Sequence, residues 1–224
     1  MLQGGSTVVF DLDGTLADTS ADLLASANAC FRAMGAGDLL DNGDRLTAFH
    51  GGRAMLRLGF ARMGRAGDAA EVDGWYPRLL EAYAGAIAVH TRLYPGAVEA
   101  VEALRRGGHA VAICTNKPEG LAEALMRALG ARELFAALVG ADTLPVRKPD
   151  PAPYVLAVER AGGVVARSMI LGDTETDLLT ARAVGVPGVL VAFGPEGAGI
   201  ARLKPDALLD RYEDLPDLAA RLLG

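Results

Sequence analysis

Only two cysteines occur in the 224 residues, Cys30 and Cys114, far apart and without a C-x-x-C partner. That spacing offers neither a disulfide framework nor a thiolate metal site, and both residues are expected to be reduced, buried small hydrophobes in a cytoplasmic protein. His50, His90 and His109 show no metal-ligand spacing either. No apolar stretch approaches the roughly 20 residues needed to cross a bilayer. The start, Met1-Leu2-Gln3-Gly4-Gly5, has neither the basic opening nor the apolar core of a signal peptide, so none is expected. With a net charge of −6 and no basic cluster, the chain lacks the footprint of a nucleic-acid-binding surface. The expected partner is a small molecule, with no nucleic acid and no membrane, and the chain is expected to be a monomer or homodimer. Lysine is scarce as well. Of 22 basic residues 19 are arginine, leaving Lys117, Lys148 and Lys204. Where a chain that defaults to arginine keeps lysine, a compact point charge is a candidate requirement.

What is present is an apolar run, Val8-Val9-Phe10, that ends in Asp11-Leu12-Asp13-Gly14-Thr15. Short apolar runs read as buried parallel strands, and open α/β sheets present ligands at the carboxyl ends of their strands. Alternation along an extended chain turns Asp11 and Asp13 to one side, and Gly14 lets the chain turn away. Two carboxylates so close repel unless a cation lies between them. The pattern therefore suggests a divalent metal with one aspartate left to attack, although an Asp-rich turn after a strand would look the same.

After Leu16 the pattern changes. Leu23, Ala27, Cys30, Phe31 and Met34 recur at helical spacing behind the N-cap candidates Asp18-Thr19-Ser20, and Gly35 and Gly37 end that helix. Segments near Asp44–Phe49 and Arg53–Met63, and the face made by Trp75, Leu79, Tyr83 and Ile87, read as further helices, with no strand between Asp18 and His90. From Leu93-Tyr94-Pro95-Gly96 onward helices and strands alternate: Val98–Arg106 helix, His109–Cys114 strand, a helix from Pro118 to Gly130, a short strand within Phe135–Gly140, Pro151–Ala161 helix, Ser168–Leu171 strand, Thr176–Val184 helix, Gly188–Val191 strand and a terminal helix over Asp214–Leu223. Alternating elements predict βαβ units and a parallel sheet. The expected fold is α/β, a doubly wound, Rossmann-like core (residues 1–17 and 91–224) with an all-helical cap of residues 18–90 inserted after its first strand.

Three further strand ends carry polar residues. Val111–Cys114 leads into Thr115-Asn116, where a hydroxyl and a following helix N-terminus suit a phosphoryl group, though Thr-Asn is also ordinary turn chemistry. Arg147-Lys148-Pro149-Asp150-Pro151 puts a cation in a stiff turn, which could equally be a solvated charge. Met169-Ile170-Leu171 leads into Gly172-Asp173-Thr174-Glu175-Thr176-Asp177, with Asp173 and Asp177 one helical turn apart. Singly each has an ordinary explanation as a cap or surface group. Four in order, each at or just after a strand end, are accounted for together by one cation site plus one phosphate site.

These residues resemble the four motifs of the haloacid dehalogenase superfamily, specifically its phosphatases with a helical cap after the first motif: Asp11-Leu12-Asp13-Gly14-Thr15, Thr115, Lys148, and Gly172-Asp173 with Asp177. Leu93-Tyr94-Pro95-Gly96 and the Val184–Gly188 stretch are similar to those of phosphoglycolate phosphatases. The resemblance implies a Mg²⁺-dependent phosphomonoester hydrolase acting on a small metabolite such as 2-phosphoglycolate. By position, Asp11 would be the nucleophile and Asp13 the general acid and base. Mg²⁺ would be held by the Asp11 carboxylate, the Asp13 backbone carbonyl and Asp173, with Asp177 orienting Lys148 or metal-bound water. Thr115, backbone N–H groups near Asn116, and Lys148 would bind the phosphoryl oxygens.

Other members of the superfamily fit less well. Its dehalogenases lack a partner such as Asp13 and need no metal, and its phosphonate-cleaving members need a cap lysine, whereas no lysine lies between Leu16 and His90. A β-phosphoglucomutase, sugar-phosphate phosphatase or pyrophosphatase stays open, because Arg53 after Gly51-Gly52 could clamp either a substrate carboxylate or a second phosphate, or be a solvated cap residue. A non-catalytic binding module on the same fold is the remote alternative. A dinucleotide-dependent oxidoreductase is disfavoured, since no G-x-G-x-x-G follows the first strand and the Gly194–Gly199 run lies in the wrong context, expected to be structural or to edge the active site. The connections Leu16–Asp18 and His90–Leu93 are expected hinges for cap closure.

Overall fold

Val8, Val9 and Phe10 are fully buried, and an extended segment buried on both faces must have hydrogen-bonded strands on both sides. In the computed structural model, which describes residues 5–65 and 67–224, that segment is β1 (Thr7–Phe10). The chain divides after Ala17 and again after Arg92, so that Asp18–Arg92 form one unit and the remaining described residues the other.

The first unit is a six-stranded parallel sheet. Past β2 (Ala17–Asp18) and β3 (Arg92–Leu93), which pair as a two-stranded ribbon, come β4 (Ala110–Cys114), β5 (Ala137–Val139), β6 (Ser168–Gly172), β7 (Gly188–Val191) and β8 (Ala207–Leu209). The order across the sheet is β5-β4-β1-β6-β7-β8. Counted along the sheet's own strands this is the 3-2-1-4-5-6 order of doubly wound folds, whose switch point falls between β1 and β6. Register pairs Phe10 with Ile113 on one side and with Leu171 on the other. The residues that follow these three strand ends therefore emerge side by side.

The helices of this unit are Ala97–Arg106, Glu119–Ala128, Ala152–Arg160, Glu175–Val184 and the terminal Leu215–Leu223. One sheet face packs Val9, Ala112, Val139 and Ile170 against Tyr154, Ala157, Val158 and Ala181 from two of these helices. The Tyr154 hydroxyl meets Ser168 Oγ at 2.6 Å, so this buried polar atom is satisfied. On the expectations, β4, β6 and β7 lie where the apolar runs predicted strands, and β5 occupies the middle of its predicted stretch. The edge strand β8 has no counterpart in the sequence reading: three residues, Ala-Leu-Leu, half-buried, are too few to show a period.

The second unit holds helices Ser20–Ala33, Arg45–Phe49, Gly52–Arg62 and Ala69–Gly85, preceded at Arg45 by a short 3₁₀ turn. Thr19 takes the N-cap position of the first, but it is Asp18 Oδ1 that accepts from the Ser20 N–H and hydroxyl. Inside this unit the buried Asp22 carboxylate accepts from the His90 and Thr91 N–H groups at 2.8–3.0 Å and from the Thr91 hydroxyl at 2.7 Å. That cluster fixes the first helix to the last segment of the unit.

Candidate active site

The carboxyl ends of β1, β4 and β6 converge at the switch point. Asp11 follows β1 directly and its N–H donates to Leu171 O at 2.8 Å, which carries the strand pairing one residue further. Beyond it the chain closes a tight loop in which the N–H groups of Leu16 and Ala17 donate to Leu12 O at 2.9 and 3.1 Å. Gly14 sits at φ +80°, a backbone conformation that glycine adopts without steric cost. The C-terminal region holds this loop from behind, since the buried Tyr212 hydroxyl donates to Thr15 O at 2.7 Å.

Lys148 is the hub. Its side chain is 1% exposed, and Nζ lies 3.2 Å from Asp11 Oδ2 and 2.6 Å from Asp177 Oδ1. Asp177 is placed by the helix it starts: its Oδ2 accepts from the Thr174 N–H and hydroxyl, closing a reciprocal cap. Gly172 makes that position available, because a Cβ there would lie 2.3 Å from Asp177 Cγ. Asp173, also buried, accepts from Thr15 Oγ1 at 2.9 Å. Thr115 continues β4, its N–H donating to Val139 O at 3.0 Å, and is buried. Asn116 is exposed, and its amide donates to Lys148 O at 2.9 Å, tying two of the predicted segments together.

Electrostatics follow from this burial. Loss of hydration pushes the Asp11 carboxyl up to about 6; Lys148 offsets part of that rise, while Asp177 and Asp13 add to it. Asp173 is raised well above the usual carboxylate range, first by burial and then by the charges of Asp11 and Asp177. Burial works to lower Lys148, but Asp11 and Asp177 outweigh it and keep the ammonium more firmly protonated than an ordinary lysine. Burial holds the Cys114 thiol at about 12, so it is an inert neighbour rather than a nucleophile.

Oxygens of Asp11, Asp173 and Asp177 lie within 4.8 Å of one another. Asp13 turns elsewhere: both its carboxylate oxygens meet Lys117 Nζ, at 2.8 and 3.0 Å. With all four ionised, Asp11, Asp13, Asp173 and Asp177 exceed the two ammonium groups, Lys117 and Lys148, by the charge of one divalent ion. The donors are hard oxygens. The cluster is chemically compatible with a hard divalent cation.

The predicted residues are therefore not all in one contact set. Asp11, Lys148, Asp173 and Asp177 are contiguous, and Thr115 and Asn116 belong to the adjoining strand end. Arg53 lies in the helical unit, where its Nε donates to Asp73 Oδ1 at 2.7 Å and its guanidinium stacks 3.8 Å from the Tyr76 ring centroid. The sequence reading assigned no partner to Lys117 and no function to the Thr15 hydroxyl or to Gly172. Two signals point at Lys117: the scarcity of lysine, and its place directly after Thr115-Asn116 in a candidate phosphate-binding segment.

Residues 6–185 match the haloacid dehalogenase-like hydrolase family. A phosphoglycolate phosphatase of Mesorhizobium japonicum is 40% identical over 217 residues, 96% of each chain. Among solved structures, a predicted phosphoglycolate phosphatase from Haemophilus somnus superposes with a TM-score of 0.80 at 25% identity, covering 97% of this chain and 99% of that one. CbbY from Rhodobacter sphaeroides, solved in complex with phosphate, gives 0.76 at 26% identity over 94% and 96%. No described helix is long and apolar enough to cross a membrane. With its doubly wound sheet, the acidic cluster at the switch point and this match across most of its length, the chain belongs to the haloacid dehalogenase-like hydrolases.

Proposed function

We propose that this protein is a Mg²⁺-dependent phosphomonoesterase that works through an aspartyl phosphate on Asp11, with 2-phosphoglycolate as its substrate. The protein is a phosphatase of small phosphorylated molecules, as are its relatives of similar length. The observation that carries the finer reading is the contact of Lys148 with Asp11, beside the buried Asp173.

Asp11 attacks phosphorus and the ester oxygen leaves. Asp13 gives that oxygen a proton, then takes one from the water that cleaves the aspartyl phosphate. Lys148, the Thr115 hydroxyl and backbone N–H groups near Asn116 hold the phosphoryl oxygens while charge shifts among them. Asp177 keeps Lys148 aimed at Asp11. The Asp11 and Asp173 carboxylates and the Asp13 carbonyl would hold Mg²⁺, which would supply charge compensation between an anionic nucleophile and an anionic phosphoryl group. Arg53 takes the carboxylate of the substrate.

Phosphate release from a panel of 2-phosphoglycolate, β-glucose 1-phosphate, other hexose phosphates, nucleotides and pyrophosphate tests the reading. The highest kcat/KM is expected for 2-phosphoglycolate, and only with Mg²⁺ present. Preference for a hexose phosphate or pyrophosphate would overturn the substrate, and metal-independent release would overturn the mechanism.

A further inference from the structure

The ion pair between Lys117 and Asp13 is separate from the carboxylate cluster of Asp11, Asp173 and Asp177. Lys117 is buried, its side chain 5% exposed against 19% for Asp13. Burying an ammonium and immobilising a four-carbon stem are both costly, so the position has to be built for it. The backbone shows that it is. The Lys117 N–H donates to Thr115 Oγ1 at 3.2 Å, its carbonyl accepts from the Ala141 N–H at 2.9 Å, and Pro118 follows as the N-cap of the next helix. Asp13 lies beyond the end of β1, next to the turn made at Gly14. Contact of one ammonium with both oxygens, at 2.8 and 3.0 Å, constrains the plane of that carboxylate.

We propose that Lys117 is a positioning residue for the acid/base group: it holds the Asp13 carboxyl in the orientation from which its own proton passes to the leaving oxygen, and the carboxylate so formed is then placed to take a proton from water. This rests on the assignment of Asp13 under Proposed function. It also accounts for a lysine in a chain so rich in arginine, because a single point charge meets both carboxylate oxygens. A lysine that merely neutralised the acidic site, or bound the phosphoryl group, would matter equally for every ester. A positioning lysine matters most where the leaving oxygen needs a proton.

The test is the dependence of turnover on the leaving group. Alkyl esters such as 2-phosphoglycolate leave as strongly basic alkoxides, whereas p-nitrophenolate leaves without protonation. In Lys117→Met, kcat/KM, which reports the step in which the leaving group departs, is expected to fall at least about tenfold further for 2-phosphoglycolate than for p-nitrophenyl phosphate, within the 10²–10⁴-fold range of general acid catalysis. An equal fall for both esters, or no fall for either, would overturn the proposal. If the methionine variant does not fold, Lys117→Gln is read by the same ratio. Asp13→Asn separates the two claims. If it leaves the alkyl-to-aryl ratio unchanged, the acid/base assignment itself fails; if it lowers the ratio and the Lys117 variants do not, only the role of Lys117 fails.

Discussion

Lys148 Nζ stands 3.2 Å from Asp11 Oδ2, and this contact opposes the rise that burial imposes on the Asp11 carboxyl, the proposed nucleophile. Burial alone drives Asp11 toward its protonated, unreactive form, and Lys148 is the largest opposing influence. Replacing Lys148 with methionine removes that influence and leaves Asp177 beside Asp11 as an uncompensated like charge. The expected loss in kcat is about 10²–10³-fold, comparable to removal of a strong oxyanion donor. Steady-state kinetics on purified, folded Lys148→Met check it, and a loss below about fivefold would contradict it.

The raised values of Asp11 and Asp173 couple metal binding to pH. In chelator-treated protein both carboxyls hold protons in the folded state at pH values where the unfolded chain has lost them. Their contribution to stability is therefore complete below about pH 4 and is lost as pH rises through about 6 and beyond. A bound cation takes the place of those protons, so stabilisation by Mg²⁺ should grow across the same interval. The shift in Tm on adding Mg²⁺ to chelator-treated protein is expected to be larger at pH 7.5 than at pH 5. An equal or smaller shift at pH 7.5 would contradict this.

Gly172 is where the backbone makes room for Asp177. A Cβ there would lie 2.3–2.4 Å from three atoms of the Asp177 side chain, closer than packed atoms come, so in Gly172→Ala the carboxylate must move and Lys148 loses its anchor. A displacement of about 1 Å at such a site is worth roughly 10²-fold in rate. Circular dichroism should show the fold retained while kcat falls by that order. Unchanged kcat would mean that Asp177 does not position Lys148.

Arg53 offers a separate handle on substrate choice. Its guanidinium plane is set by Tyr76 and Asp73, but at 39% and 58% side-chain exposure that ion pair adds little stability. Arg53→Ala is therefore expected to fold normally. Its KM for 2-phosphoglycolate should rise at least about tenfold, with a much smaller change for p-nitrophenyl phosphate, which has no carboxylate. Equal changes for the two substrates would remove Arg53 from carboxylate recognition.

The sheet was legible in the sequence because full burial writes itself as an unbroken apolar run, as in Val8-Val9-Phe10 and Met169-Ile170-Leu171. Turn chemistry then marked where each run stops, and the acidic residues stood out for being placed at those stops. What stayed hidden depends on partners distant in the chain. Asp13 and Lys117 are 104 positions apart, and they meet only because β4 lies beside β1, an adjacency that neither segment encodes by itself. Asp22 lies in the first turn of its helix, yet its carboxylate serves His90 and Thr91, nearly 70 residues on. The half-buried edge strand β8 lacked the length for any pattern to emerge.

The central claim is that Asp11 becomes covalently phosphorylated during turnover. Acid quenching of enzyme mixed with Mg²⁺ and excess 2-phosphoglycolate, followed by proteolysis and mass spectrometry, measures this directly. The account predicts one phosphoryl group on the peptide containing Asp11, labile to hydroxylamine and missing from Asp11→Asn, which should also be inactive. An unmodified Asp11 peptide during active turnover, together with an Asp11→Asn variant that still releases phosphate, would contradict it.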